Sequence, residues 1–191
     1  STWTHLHDFK LLGGSSCGNG INGIDPNWES GSYLPQQVII ERVQVSGFTG
    51  SQTISGVIRG GATPGDDLVF PASCIFLAGA LQISITDCNL NTCDIGLTLF
   101  SCFQPFVRGT AIAYFSVAGI YDQNCETPVY DKNDIVGGPV VPGTFQPLIN
   151  TPRRNSATVL QAGIVTLNSN GCVIQNNKIK GAYTCVAAEA D

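Results

Sequence analysis

A short pattern of apolar and polar residues returns five times along this chain of 191 residues. Residues 6–11 read apolar, two polar, one variable residue, one polar, apolar, and similar spacing recurs at 40–45, 85–90, 107–112 and 174–179. A small residue followed by an aliphatic one comes after each copy: Gly20-Ile21, Gly56-Val57, Gly96-Leu97, Gly119-Ile120 and Cys185-Val186. Self-similarity of this kind indicates a stacked architecture.

The copies read as short strands, not as helices. Apolar slots alternate with polar ones over short runs, as half-buried strands require. Gly, Pro, Asn, Ser and Thr crowd the segments between them, which is typical of tight turns. Stacking would place the last apolar residue of each copy in one core column. The predicted column is Leu11, Val45, Leu90, Ile112 and Ile179.

Residues 38–47 and 172–181 resemble coils of right-handed parallel β-helices, the pectin-lyase-like fold of polysaccharide lyases, galacturonases and phage tailspikes. Ile85 and Val107 lie 22 residues apart, the length of one such coil. The resemblance implies one all-β domain over 1–191, built of short coils with loop insertions. The Pro/Gly-rich stretch at about 127–155 is the expected long insertion. The alternative is an antiparallel β-sandwich or jelly roll with the same turn spacing.

Charge and hydropathy exclude two classes of partner. The net charge is −5 with only nine Lys or Arg, so no basic stripe is available for nucleic acid. No apolar run approaches the ~18 residues of a membrane span. The chain lacks Met even at position 1, which predicts a removed signal peptide and an extracellular, cell-surface or virion-surface location. An excised domain of a longer protein would look the same.

The even number of cysteines permits up to four disulfides in a secreted chain. The candidates are Cys17, Cys74, Cys88, Cys93, Cys102, Cys125, Cys172 and Cys185. The alternative is that most are buried thiols, because Cys88 occupies the slot that Phe9 and Val43 hold in other copies. No histidine completes a metal site with Cys88 and Cys93, so we expect neither a metal nor another cofactor.

The chain matches the catalytic motifs of enzymes with the resembled fold poorly. Galacturonase-like enzymes carry Asn-Thr-Asp, Gly-Asp-Asp, Gly-His-Gly and Arg-Ile-Lys in that order. Here residues 65–67 read Gly-Asp-Asp, the broken Asn-Thr-Cys-Asp at 91–94 comes after it, and no His follows His7. Asp66 and Asp67 are therefore weak catalytic candidates, and their place after Pro64-Gly65 is typical of a solvated loop. The sequence favours a role without catalysis.

Two functional hypotheses remain. The copies run almost to both termini without an amphipathic capping helix, so both ends of the stack would expose unpaired backbone groups. This predicts a secreted subunit that assembles with itself into an extracellular filament or surface layer, by head-to-tail contacts or by strand donation. The candidate assembly residues are Trp3, His5, His7, Ala187 and Asp191. The alternative is a carbohydrate-binding or polysaccharide-degrading β-helix module, with polysaccharide as the partner and Asp66 and Asp67 as its acids.

Overall fold

The computed structural model describes residues 2–14, 17–24, 36–54, 68–138 and 161–189, and within these ranges the chain forms strands and no helix. The strands are β1 (Thr2–His7), β2 (Lys10–Leu12), β3 (Ile21–Ile24), β4 (Gln36–Glu41), β5 (Gln44–Phe48), β6 (Ser51–Ile54), β7 (Leu68–Pro71), β8 (Ser73–Ala78), β9 (Ile83–Thr86), β10 (Asn89–Phe100), β11 (Phe106–Arg108), β12 (Ala111–Gln123), β13 (Val129–Asp131), β14 (Asp134–Gly137), β15 (Ala162–Leu167), β16 (Val173–Gln175), β17 (Lys178–Lys180) and β18 (Thr184–Glu189).

The strands pair in three parallel ladders, each visited once per repeat. The first ladder is β1-β4-β9-β11-β13-β16, and the second is β2-β5-β10-β12-β14-β17. The third ladder is β3-β8-β10-β12-β15-β18, because the long strands β10 and β12 each bend and contribute to two ladders. The described part of the chain is therefore all-β with parallel sheets, and it contains six successive repeats. The antiparallel sandwich alternative is wrong, since β6–β7 is the one antiparallel pair among the described strands.

The predicted core column is confirmed by the strand register. Leu11 pairs with Val45, Val45 with Leu90, and Leu90 with Ile112. Ile112 then reaches Ile179 through a residue that the sequence pattern did not include, Ile135. Val107 lies in register with Ile85, so the spacing of 22 residues is one full repeat.

The predicted insertion at 127–155 is wrong over its first part. Residues 130–135 form a sixth copy of the pattern, in which Tyr130 pairs with Val107 and Ile174 on either side. The sequence pattern did not detect this copy, because Tyr130 occupies a position that is aliphatic in the other copies. The tyrosine is fully buried there because its hydroxyl finds a buried acceptor. Residues 139–155 of the predicted insertion lie outside the described part of the chain.

The small residue of the second signal lies where the second and third ladders meet. A Cβ atom on Gly119 would come within 2.6 Å of the Gly163 carbonyl oxygen and 2.6 Å of Ile135 Cγ2. Gly96 meets Ile112 and the Gly119 carbonyl in the same way. Gly56-Val57 lies outside the described residues. In that repeat, Ile75 takes the aliphatic position, in register with Ile21 and Leu97.

Left-handed backbone turns the chain from one ladder to the next. In the third repeat, Gln82 and Asp87 have φ of 51° and 53°, five residues apart. In the fourth, Gln104 and Gly109 repeat that spacing with φ of 51° and 62°. Because Gly, Asn and Asp tolerate this conformation best, their recurrence between the apolar slots follows from the corner geometry.

Two apolar clusters lie on opposite faces of the third ladder. The interior cluster collects the aliphatic columns of all three ladders, and an outer cluster packs Phe70, Phe76, Phe100 and Tyr121 against alanine, isoleucine and valine side chains. All eight cysteines are free thiols, so the disulfide prediction is not supported by the structure. The alternative prediction, that most cysteines are buried thiols, fits five of them. These are Cys74, Cys88, Cys93, Cys102 and Cys125.

Candidate self-association edges

The three ladders leave two open edges in the described part of the chain. At the first edge, β1, β2 and β3 each pair with one strand only, in the second repeat. At the last edge, β16, β17 and β18 each pair with one strand only, in the fifth repeat. An unpaired parallel edge presents a row of N–H and C=O groups that can template further pairing.

The backbone groups of the first edge can be assigned from the bonds on its paired side. The Gln44 N–H donates to the Phe9 carbonyl at 2.9 Å, and the Gly13 N–H donates to the Ser46 carbonyl at 2.8 Å. Phe9 and Gly13 therefore face β5. Because successive residues of a strand face opposite neighbours, Lys10 and Leu12 present their N–H and C=O groups to the open side.

The last edge shows the complementary half of the same pattern. The Lys178 N–H donates to the Asn133 carbonyl at 2.8 Å, so Lys178 faces β14 and Ile179 faces the open side. The internal joint between β5 and β10 is built alike, with the Asn89 N–H donating to the Val43 carbonyl at 2.9 Å. The unpaired backbone donors and acceptors of the two edges are therefore placed as they are on two neighbouring strands inside the stack, such as β5 and β10.

The apolar columns end half-exposed at these edges. Leu6, Leu11 and Ile21 are only partly buried in the first repeat, as are Ile174 and Ile179 in the last. Their column partners inside the stack are fully buried, for example Ile40, Val45, Ile85 and Leu90. Most of the large apolar side chains described as exposed also belong to these two repeats: Leu12, Val173, Tyr183 and Val186. Both edges therefore keep apolar surface that a further repeat would cover.

Most of the predicted assembly residues lie on edge strands. Trp3, His5 and His7 belong to β1, and Ala187 belongs to β18, where it pairs with Val165. The side chain of Trp3 and the whole of Asp191 are outside the described part of the structure.

A charged cluster flanks the first edge. Arg42 Nε donates to Asp8 Oδ1 at 2.8 Å, and His7 Nδ1 lies 2.8 Å from Asp8 Oδ2. His5 Nε2 lies 3.0 Å from Glu41 Oε1, which belongs to the same cluster. Hydrogen bonds from Arg42 hold the pKa of both carboxyls below their usual values. The sequence reasoning missed Asp8 and Arg42, although they occupy equivalent positions in the first two copies.

An interior polar cluster lies in the fourth and fifth repeats. Asp122 is fully buried and accepts hydrogen bonds from the Tyr130 and Ser169 hydroxyls. Burial raises the pKa of Asp122, and the hydrogen bonds oppose that shift in part. The burial of Tyr130 also raises its pKa. Because Asp122 and Tyr130 are fully buried and hydrogen-bonded to one another, this pair supports the stack from inside.

Asp66 and Asp67, the weak catalytic candidates, lie outside the described residues. Across the described ranges, no group of three or more His, Cys, Asp or Glu side chains could hold a metal ion. Within the same ranges, no helix is long and apolar enough to cross a membrane. No family model, curated protein or solved structure matches the chain. The open edges are therefore the feature from which a function can be argued.

Proposed function

We propose that this chain is a structural subunit that assembles with itself head to tail, in an extracellular filament or surface layer. The observation that carries the proposal is the complementary pattern of unpaired backbone groups at the two edges. We further propose that the three ladders close into a right-handed parallel β-helix. The support for closure is that all three ladders feed one interior cluster, and that parallel crossovers are nearly always right-handed.

Adding a second copy in register would continue every column. Leu11 of one copy would follow Ile179 of another, and Leu6 would follow Ile174. The half-exposed side chains would then gain the burial that their internal counterparts have, at about 25 cal/mol per Å² of apolar surface removed from water. The first and last edges are different surfaces, so each added copy leaves one of each open. Such a heterologous contact gives filaments when it does not close into a ring.

One pair of charges opposes this contact. The column that contains Lys10 runs through Gln44, Asn89, Ala111 and Asp134 to Lys178. At a head-to-tail joint, Lys10 of one copy would therefore stand beside Lys178 of the next. Directly opposed like charges destabilise strand pairing, and both side chains are exposed, so salt would screen the repulsion. We expect association to strengthen as ionic strength rises.

The experiment is sedimentation velocity over a concentration series, with negative-stain microscopy of the largest species. Leu12→Pro removes the N–H donor that faces the open side of β2, and edge positions tolerate proline. Leu12→Ala is the matched control, because it removes the exposed side chain and keeps the donor. We expect the wild type to form elongated oligomers, the alanine variant to retain most of them, and the proline variant to lose them while keeping its β-type circular dichroism. A wild type that stays monomeric at every concentration and salt level contradicts the proposal.

A further inference from the structure

Three buried cysteines of the interior share one local geometry. The thiols of Cys88, Cys102 and Cys125 each donate to the carbonyl two residues earlier in the chain, at 3.2, 3.3 and 3.7 Å. Each also donates to a carbonyl of the preceding repeat, at 3.6, 3.6 and 3.7 Å. All three are at most 2% exposed. The chain therefore contains three closely comparable thiols.

The three cysteines differ in the residues that lie directly above and below them in the adjacent repeats. Phe103 and Glu126 form an isolated parallel β-bridge, and the Glu126 N–H donates to the Cys102 carbonyl at 2.9 Å. Cys102 and Cys125, the preceding residues, therefore lie directly above one another in adjacent repeats. Cys88 instead lies between Val43 below and Thr110 above.

The spacing of this stack suits a covalent link. Neighbouring parallel strands lie about 4.8 Å apart, which is inside the Cα–Cα range of about 4.4–6.8 Å found for disulfides and just above the Cβ–Cβ range of about 3.5–4.5 Å. The link therefore requires the two stacked corners to close by a few tenths of an ångström. Cys74 and Cys93 are also close, and a hydrogen bond between their side chains raises the pKa of Cys93. However, Cys74 lies in register with Gly96 and not with Cys93, so strand spacing alone does not align that pair.

We propose that Cys102 and Cys125 form a disulfide across the third and fourth repeats when the chain folds in the presence of a small disulfide oxidant such as oxidised glutathione. One thiolate attacks the glutathione disulfide and releases one glutathione, which leaves a mixed protein–glutathione disulfide. The second thiolate then attacks the protein sulfur and releases the second glutathione. Two protein thiols are oxidised, and one glutathione disulfide is reduced to two glutathione molecules.

Folding is the stage at which this exchange occurs. In the folded chain both cysteines are 1% exposed, and burial raises the pKa of Cys125, so little thiolate is present. In the unfolded chain both thiols are accessible, and stacking of the repeats then brings them together. Oxidant added after folding in reductant should act much more slowly.

The test is a disulfide map of the wild type. The protein is refolded from reducing denaturant with or without oxidised glutathione, and the compact fraction is isolated. Free thiols are alkylated in denaturant, and the chain is digested with trypsin and chymotrypsin for mass spectrometry. We expect a peptide pair that joins Cys102 to Cys125, two hydrogens lighter than the separate peptides, and we expect Cys88 to be alkylated in both samples. Alkylation of both Cys102 and Cys125 in the oxidised sample, or a link from either to a different cysteine, overturns the proposal.

Two variants give a second readout. Cys125→Ser introduces the residue that already occupies the same column one repeat later, at Ser169. We expect this variant to melt at the same temperature whether refolded with or without oxidant, whereas the oxidised wild type melts higher than the reduced one. Cys88→Ser should keep the wild-type difference. Equal melting temperatures for oxidised and reduced wild type would contradict a link that spans two repeats.

Discussion

The Tyr130 hydroxyl donates a hydrogen bond of 2.5 Å to Oδ2 of Asp122, and neither residue has exposed surface. The Ser169 hydroxyl donates to the other carboxyl oxygen. Asp122 stands in a column whose preceding members are Leu77 and Leu99, so a carboxyl replaces an aliphatic side chain there. The two hydroxyl donors satisfy it, and burial still raises its pKa.

Asp122 should therefore make the stack less stable as pH rises. Its folded pKa lies above the ordinary value of 3.8, so its contribution is fully present below that value and is lost as pH rises through the folded pKa. In Asp122→Asn this dependence is absent. The free energy of unfolding of the wild type minus that of the variant should fall from pH 3 to pH 7, as measured by denaturant titration at each pH. Asp8 and Glu41, whose pKa values are lowered, contribute the opposite slope equally to both chains. A difference that does not change with pH would contradict this account.

Removal of the Asn133 side chain should destabilise the stack. Its side-chain amide donates to the Val107 carbonyl at 3.1 Å and to Asn177 Oδ1 at 2.9 Å, and its oxygen accepts from the Thr110 N–H at 3.0 Å. Asn133→Ala leaves buried backbone groups unpaired, at about 1–3 kcal/mol of unfolding free energy. Asn89→Ala is the control, since that side chain is exposed at the start of β10, and its effect should stay within about 0.5 kcal/mol. Similar losses from the two variants would argue against this hydrogen-bond network.

The glycine at the ladder junction should not accept a methyl group. In Gly119→Ala the new Cβ would meet the Gly163 carbonyl and Ile135 at 2.6 Å each, which forces the repeats apart. We expect a loss of about 1–3 kcal/mol in thermal or denaturant unfolding, the usual cost of overpacking. Gly14→Ala should be nearly neutral, because its nearest neighbour would be Cys17 Sγ at 3.8 Å. If both variants unfold like the wild type, the junction is looser than described.

Thiol reactivity should follow burial in the reduced, folded protein. Cys17 and Cys185 are exposed and should react first with a thiol reagent such as dithionitrobenzoate. Cys172 is half-buried, and burial raises its pKa to about 11, so it should react more slowly at pH 8. The five buried thiols should react only on unfolding. Mass spectrometry after timed labelling distinguishes these groups, and early labelling of Cys102 or Cys125 would show that the interior is open.

Much of the fold could be predicted because the repeat places similar residues in similar slots. Leu11, Val45 and Leu90 share one column since each is the last aliphatic residue of its copy. Tyr130 could not be assigned in this way, because the hydroxyl that makes a tyrosine acceptable inside the stack bonds to Asp122, and that contact joins positions eight residues apart on different strands. Asp122 itself reads as a surface residue when only its neighbours in sequence are considered.

The open edges could be predicted only in outline. The order of the copies predicts that the first and the last described repeats each have a neighbouring repeat on one side only. The sequence pattern does not say which of two neighbouring residues turns its N–H to the open side, because that depends on the bonds made with the next repeat. The same holds for Lys10 and Lys178, which are 168 positions apart in sequence and share a column only through the register of four intervening strands.

Charge reversal in this column tests the head-to-tail contact most directly. Lys10→Glu would set an acid beside Lys178 of the next copy and should tighten association by roughly 2- to 30-fold, as expected when a like-charge pair becomes an opposite-charge pair. Lys132→Glu, at an exposed corner of the fifth repeat, changes the net charge equally and should have no such effect. Adding Lys178→Glu to Lys10→Glu should restore the repulsion. Sedimentation velocity of the wild type, Lys10→Glu, Lys132→Glu and the Lys10→Glu/Lys178→Glu double variant should show Lys10→Glu alone associating more tightly. Equal association of all four chains, or only monomers, would contradict the account.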